Sequence, residues 1–129
     1  MGDPRHDLGL AAEAAVSTWL EGSGWRVLGR RVRSAGGGEV DLVALDPNRV
    51  LVAIEVRARR TARTGIGSEP IDARRTARIG RTLVAFAAGF GFGPRLGHCA
   101  LRIDLVSVMP EPGSAGAWRL RRTPDIGAR

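Results

Sequence analysis

Gly38-Glu39-Val40-Asp41-Leu42-Val43-Ala44-Leu45 runs into Asp46-Pro47-Asn48-Arg49 and returns as Val50-Leu51-Val52-Ala53-Ile54-Glu55-Val56-Arg57. Two β-branched, largely apolar runs joined by turn-forming residues predict a hairpin. Both runs are apolar at consecutive rather than alternate positions. Both faces of the sheet are therefore expected to be covered, which requires helices on each side. Set into these strands are carboxylates and one cation, where an isolated charge is costly to bury. A divalent cation removes most of that cost, so the hairpin reads as a magnesium site facing an anionic substrate.

The register decides whether that site can exist. Residues two apart on a strand share a face, so Glu39 is expected beside Asp41, and Glu55 beside Arg57. Asp41 lies opposite Glu55 only if Asp46 pairs with Val50, or in an equivalent register, which demands an odd number of loop residues. A two-residue Pro47-Asn48 loop would send the two carboxylates to opposite faces. The competing reading is strand-end charge facing solvent, but Leu42, Val43, Ala44, Val52, Ala53 and Ile54 leave little polar face for a half-exposed hairpin.

Working outward, Asp3-Pro4 predicts a capped helix running to about Glu21, with Leu8, Ala12, Ala15, Val16, Trp19 and Leu20 at helical spacing and Gly22 and Gly24 ending it. Trp25 to Val32 alternates apolar with basic residues as a first strand. Ser68-Glu69-Pro70 predicts the start of a second helix, whose buried stripe is Ile79, Leu83, Phe86, Ala87 and Phe90. Leu101 to Met109 reads as a strand, and Trp118 to Arg122 as an edge strand or tail. The order helix, three strands, helix, strand or strands predicts one α/β domain over residues 1–129, with a mixed sheet and its core in about residues 4–109.

Composition sets limits on the partner. The chain has 129 residues, enough to bury a core without disulfides, and its sole cysteine, Cys99, has no internal mate. No apolar run approaches the roughly 20 residues of a membrane span, and Met1-Gly2-Asp3-Pro4-Arg5 is unlike a signal peptide, so no membrane partner and a cytoplasmic location are expected. A net charge of +7 points to a polyanion. Every basic side chain is arginine and none is lysine, which a coding bias explains at most surface positions. His6 and His98 have no partner at metal-ligand spacing, and the glycine-rich stretches lack the context of a phosphate-binding loop.

The run Gly38 to Ala44, then Glu55-Val56-Arg57, then Arg102-Ile103-Asp104-Leu105-Val106 resembles the YraN-type bacterial proteins, relatives of the PD-(D/E)XK nucleases similar to Holliday-junction resolvases. The resemblance reaches upstream to Gly9, Glu13, Trp19-Leu20 and Gly24, and downstream to Glu69 and the Asp72 to Arg78 helix, covering about residues 5 to 109. It implies a restriction-endonuclease-like fold, a mixed β-sheet flanked by helices. It also implies Mg²⁺ or Mn²⁺ held by Asp41, Glu55 and the Val56 carbonyl, with Glu13 as the helix-borne acid completing the site. For Glu13, helical spacing beside Val16 and Leu20 permits that role, the alternative being a surface glutamate. Glu39 could be a ligand, a group supporting the ligands or the partner of an arginine. Asp104 is expected to serve structure or to support the ligands.

Arg57 departs from the nuclease pattern, which has lysine there. A guanidinium keeps its proton throughout the physiological range, so Arg57 cannot be a general base, although it can hold a phosphate oxygen. Arg74, Arg78 and Arg81 give the second helix a basic face. Arg75 matches a position often lysine in the family, and Arg59, Arg60 and Arg63 occupy the preceding loop. Together these would bind nucleic-acid phosphates, most simply those of DNA, without reading bases. The expected function is metal-dependent hydrolysis of DNA phosphodiesters, on branched or structured DNA. The alternatives are a catalytically inactive nucleic-acid-binding module of the same fold and a protein-interaction subunit. A resolvase-like role would imply a homodimer.

Overall fold

The computed structural model describes residues 4–36, 38–59, 72–89, 100–113 and 116–126, with side chains from residue 6 onward. Helix α1 (Pro4–Gly22) buries Ala12, Val16 and Leu20 on one face. It ends where the Ser23 and Trp25 N–H groups donate to the Leu20 carbonyl at 2.9 and 3.0 Å, with Gly24 in the left-handed region at φ +88°. Strand β1 (Arg26–Val32) follows, bulged between Val27 and Gly29. A Cβ at Gly29 would sit 2.9 Å from Val32 Cγ2 and 3.2 Å from the Phe86 ring, so the helix packed above this strand needs glycine there.

Strands β2 (Val40–Leu45) and β3 (Leu51–Ala58) form the hairpin, pairing Leu42 with Ile54, Val43 with Ala53, Ala44 with Val52 and Leu45 with Leu51. The Asp46 N–H donates to the Val50 carbonyl at 2.9 Å, leaving a three-residue loop of Pro47, Asn48 and Arg49. This is the odd-length loop that Asp41 and Glu55 require to face one another. The Asp46 carboxylate fixes it by accepting from the Asn48 and Val50 N–H groups at 2.8 and 2.9 Å, and Arg49 takes the left-handed conformation at φ +64° that closes such a loop.

Helix α2 (Ala73–Gly89) leads to β4 (Leu101–Pro110), which lies parallel to β3, and β5 (Trp118–Thr123) completes an antiparallel edge. The sheet order is β1-β2-β3-β4-β5. The helix start expected at Ser68 lies outside the described residues. Within them α2 opens at Ala73, and Asp72 caps it by accepting from the Arg75 N–H at 2.9 Å. Its buried stripe is Ile79, Thr82, Leu83 and Ala87, with Phe86 half-buried; Thr82 was not expected, and it reaches the Gly38 carbonyl at 2.9 Å. Phe90 lies outside the described residues.

Two apolar layers sandwich the sheet. Ala12, Val16 and Leu20 of α1 meet Leu42, Ala44, Val52, Ile54, Val106 and Val108 on one face. Ile79, Leu83 and Ala87 of α2 meet Val40, Val43, Leu51, Ala53 and Ile103 on the other. Helices on both faces are why the central strands are apolar at consecutive positions, as from Leu42 to Leu45 and from Leu51 to Ile54. The architecture is the expected α/β one, a mixed sheet flanked by helices.

Candidate functional site

Asp41 sits where two strands change face. In β2, Leu42 and Ala44 pack towards α1, yet Val43 and Val40 both pack towards α2, so the alternation breaks at Asp41. The same break occurs across the ladder. Arg30 reaches Ser17 of α1 at 2.9 Å, Val32 packs on the α2 side, and Arg31 between them has φ +50°. Arg30 pairs with Leu42 and Val32 with Val40, so Arg31 falls opposite Asp41. The pairing of β2 with β3 ends at Leu42 and Ile54, and beyond it the Asp41 carboxylate itself accepts from the Val56 N–H at 2.7 Å. A side chain here replaces the backbone acceptor that a continued ladder would supply.

This overturns one expectation. Glu39 is not on the same strand as Asp41, because β2 begins at Val40, although both carboxylates lie near enough to Glu13 to raise its pKa. Glu39 instead pairs with Arg33 at 2.8 Å near the surface, the third of its expected roles.

Strand β3 alternates regularly, which puts Glu55 and Arg57 on the α2 side with Leu51 and Ala53. Glu55 is buried, with 7% of its surface exposed. One carboxylate oxygen, Oε2, receives both the Nε and Nη2 groups of Arg75 from the first turn of α2, the Nε at 2.6 Å. The other, Oε1, is buried, and among the described residues no donor hydrogen-bonds to it; only the Asp41 carboxyl, when protonated, can share a hydrogen bond with this carboxylate. Burial and the adjacent Glu55 carboxylate push the Asp41 carboxyl up to about 7, against the pull of the Val56 N–H and of Arg75. The pair thus tends to keep a proton on Asp41, shared with the Glu55 carboxylate, rather than hold two adjacent charges.

Glu13 lies on α1 next to this pair. Burial, and then the nearby Asp41 carboxylate, raise its pKa, while Arg31 opposes them through a 3.4 Å ion pair. Among the described residues no three His, Cys, Asp or Glu side chains are gathered closely enough to hold a metal ion. The carboxylates brought together are Asp41 and Glu55, and Glu13 is turned to Arg31. Two carboxylates still fit magnesium, which commonly keeps several waters and takes only one or two protein carboxylates.

Arg57 is half-buried on β3, beside Ser107 of β4 in the parallel register. The Arg59 N–H donates to the Val108 carbonyl at 2.8 Å, just past the end of β3. Arg74, Arg78 and Arg81 are exposed on α2, and the Arg78 side chain passes over Gly38. Arg60 and Arg63 lie outside the described residues. Sequence reasoning missed Arg31, whose signal was the interruption of β1's apolar alternation by two consecutive arginines.

A second carboxylate cluster was only partly foreseen. Asp104 is fully buried and accepts four hydrogen bonds, from Arg102 Nε and Nη2 at 2.8 and 3.0 Å, Arg122 Nη1 at 2.9 Å and the Asp125 N–H at 2.9 Å. Arg102 also reaches Asp46 at 3.0 Å, and both arginines lie over the half-buried Trp25 ring, at 5.8 and 5.3 Å from its centroid. Every oxygen of Asp104 is used within the chain, which makes it a structural group. No helix among the described residues is long and apolar enough to cross a membrane.

Residues 12–108 match the model of Uncharacterised protein family UPF0102. A UPF0102 protein of Symbiobacterium thermophilum is 38% identical over 114 residues, covering 88% of this chain and 90% of that one. One from Maricaulis maris is 40% identical over 116 residues, covering 88% and 80%. Among solved structures, Hjc of Archaeoglobus fulgidus, a Holliday junction resolvase, is 24% identical, covering 88% of this chain and 75% of that one at a TM-score of 0.41. That last match is too loose to assign anything to this chain. Matched over most of its length by the family model and by relatives of this identity, the chain belongs to the uncharacterised protein family UPF0102, the YraN-type family that its motifs resemble.

Proposed function

We propose that this chain is a divalent-metal-dependent nuclease that hydrolyses DNA phosphodiesters, preferring branched or structured DNA, at the Asp41–Glu55 pair. The observation that carries the reading is the buried Glu55 Oε1, without a donor among the described residues, beside a carboxyl whose pKa is raised to about 7. Buried polar atoms are almost always satisfied, so an acceptor that no donor of the described residues reaches supports a ligand here. Mg²⁺ or Mn²⁺ would be held by Asp41, Glu55 and the Val56 carbonyl. The N–H and C=O of one extended residue point to the same side, so that carbonyl faces the gap where the Val56 N–H meets Asp41.

When bound, the ion would supply positive charge to the phosphate and acidify the attacking water. The chain's own groups do the rest. Arg57, on the same face as Glu55, donates hydrogen bonds to a non-bridging phosphate oxygen and keeps its own proton. Glu13 stands by as a third acid once Arg31 turns to the substrate. The α2 arginines 74, 78 and 81, with Arg59, Arg60 and Arg63, hold the backbone on either side without reading sequence. Acting on two strands of a junction would call for a two-fold dimer.

Cleavage of a four-way junction or flap in Mg²⁺, abolished by EDTA and by Glu55→Ala with the fold intact, is the expected result. Arg57 favours a second reading, an inactive DNA-binding module, because its guanidinium cannot take a proton from water. Arg57→Lys separates the two: DNA binding by both forms with cleavage only by the lysine form establishes the module.

A further inference from the structure

The contact between Arg75 and Glu55 is one-sided. Two donors of a single guanidinium converge on Oε2, whereas a fork facing a carboxylate ordinarily spreads over both oxygens. Oε1 is left buried, with no donor hydrogen-bonded to it among the described residues. The two side chains also differ in freedom, Glu55 being 8% exposed and Arg75 45%. Glu55 is fixed in the sheet, while Arg75 swings from the first helical turn of α2, where Asp72 caps the backbone and Arg74 and Arg78 stand exposed.

We infer that Arg75 is an exchangeable counter-ion: it neutralises Glu55 until a divalent cation engages the carboxylate, then leaves for solvent and binds a phosphate of the incoming DNA backbone. This rests on the proposed metal-dependent reading of the same site. A guanidinium and a divalent ion on one carboxylate repel across a few ångströms, and of the two side chains only Arg75, 45% exposed, has an open side to move to. The exchange couples the two ligands, because the cation releases the arginine that the phosphate needs. Without it Arg75 stays on Glu55 and contributes nothing to DNA affinity.

Mn²⁺ binding to the full chain, read from the electron paramagnetic resonance of the free ion, tests this in wild type, Arg75→Gln, Arg74→Gln and Glu55→Gln. Arg75→Gln is expected to bind Mn²⁺ about tenfold more tightly than wild type, and Arg74→Gln, which removes the same charge one residue away, less than about twofold more tightly. Glu55→Gln is expected to lose binding. In a parallel DNA titration, Arg75→Gln should weaken affinity for a duplex when Ca²⁺ is present and leave it unchanged in EDTA. Mn²⁺ affinity in Arg75→Gln equal to or below that of wild type overturns the exchange and leaves the metal site standing. Absence of Mn²⁺ binding in both wild type and Arg75→Gln overturns the exchange and the metal-dependent reading together.

Discussion

Asp104 and Glu55 are buried carboxylates on neighbouring strands of one sheet, one residue out of step in the β3–β4 register and on opposite faces by strand alternation. Their surroundings solve the same problem differently. Asp104 accepts from two guanidiniums and a backbone N–H, so its charge is answered within the chain. Glu55 accepts, among the described residues, from Arg75 on one oxygen, with a second carboxylate, Asp41, beside it. A carboxylate that closes its own hydrogen bonds holds strands together. One that does not is available to a ligand, and the structure keeps both kinds within a few residues of each other.

The largest effect expected from breaking this contrast is at Asp104. Asp104→Ala leaves Arg102 with Asp46 alone, Arg122 without its carboxylate and the Asp125 N–H without its acceptor, and should lower unfolding stability by roughly 3 kcal/mol in a urea titration. Glu55→Gln, which leaves the half-exposed Arg75 free to turn to water, should change it by less than about 1 kcal/mol. Similar losses at the two positions would remove the distinction between them.

Next in size is the response to cation. At a concentration of Mg²⁺ or Mn²⁺ about 100 times the dissociation constant, the wild type should gain about 2.7 kcal/mol, visible as a rise in melting temperature. Glu55→Gln should gain nothing, and Asp104→Asn, if folded, should keep the gain. A rise in all three would mean that the ion binds elsewhere.

The smallest effect is also the most specific. The Asp41 carboxyl titrates near 7 in the fold but near its usual 3.8 when unfolded, so between these values the folded state holds the extra proton. Without metal, stability should therefore fall as pH rises from about 4 to about 7. Asp41→Asn keeps an acceptor for the Val56 N–H, removes the charge facing Glu55, and should flatten that slope. At pH 8 it should be the more stable protein, by on the order of 1 kcal/mol after allowance for solvent screening. Equal pH slopes in the two proteins would argue that Asp41 is an ordinary surface carboxylate.

Much of the frame was legible in the sequence because its determinants are local. Strand spans follow from runs such as Leu51 to Ile54, and the covering helices from strands apolar at consecutive positions, whereas the turn residues Asp46-Pro47-Asn48-Arg49 fit a two-residue or a three-residue loop alike. The facing of Asp41 and Glu55 follows from loop length, since side chains alternate with a period of two. The departures came from events that periodicity does not encode. The strand begins only at Val40, beside a left-handed Arg31, and Glu39 just before it is held by Arg33.

By itself, then, the sequence determined the family, the α/β order of elements and the candidate acids Asp41 and Glu55, while the hairpin register on which their meeting depends was decided in the fold. Only the tertiary structure decided which cation answers which carboxylate: Arg75 for Glu55, Arg31 for Glu13, Arg33 for Glu39, and Arg102 with Arg122 for Asp104. The reason is physical. Backbone pattern is set by neighbours along the chain, whereas the partner of a buried charge is set by whatever packing brings within about 3 Å, and a chain with 20 arginines offers many candidates.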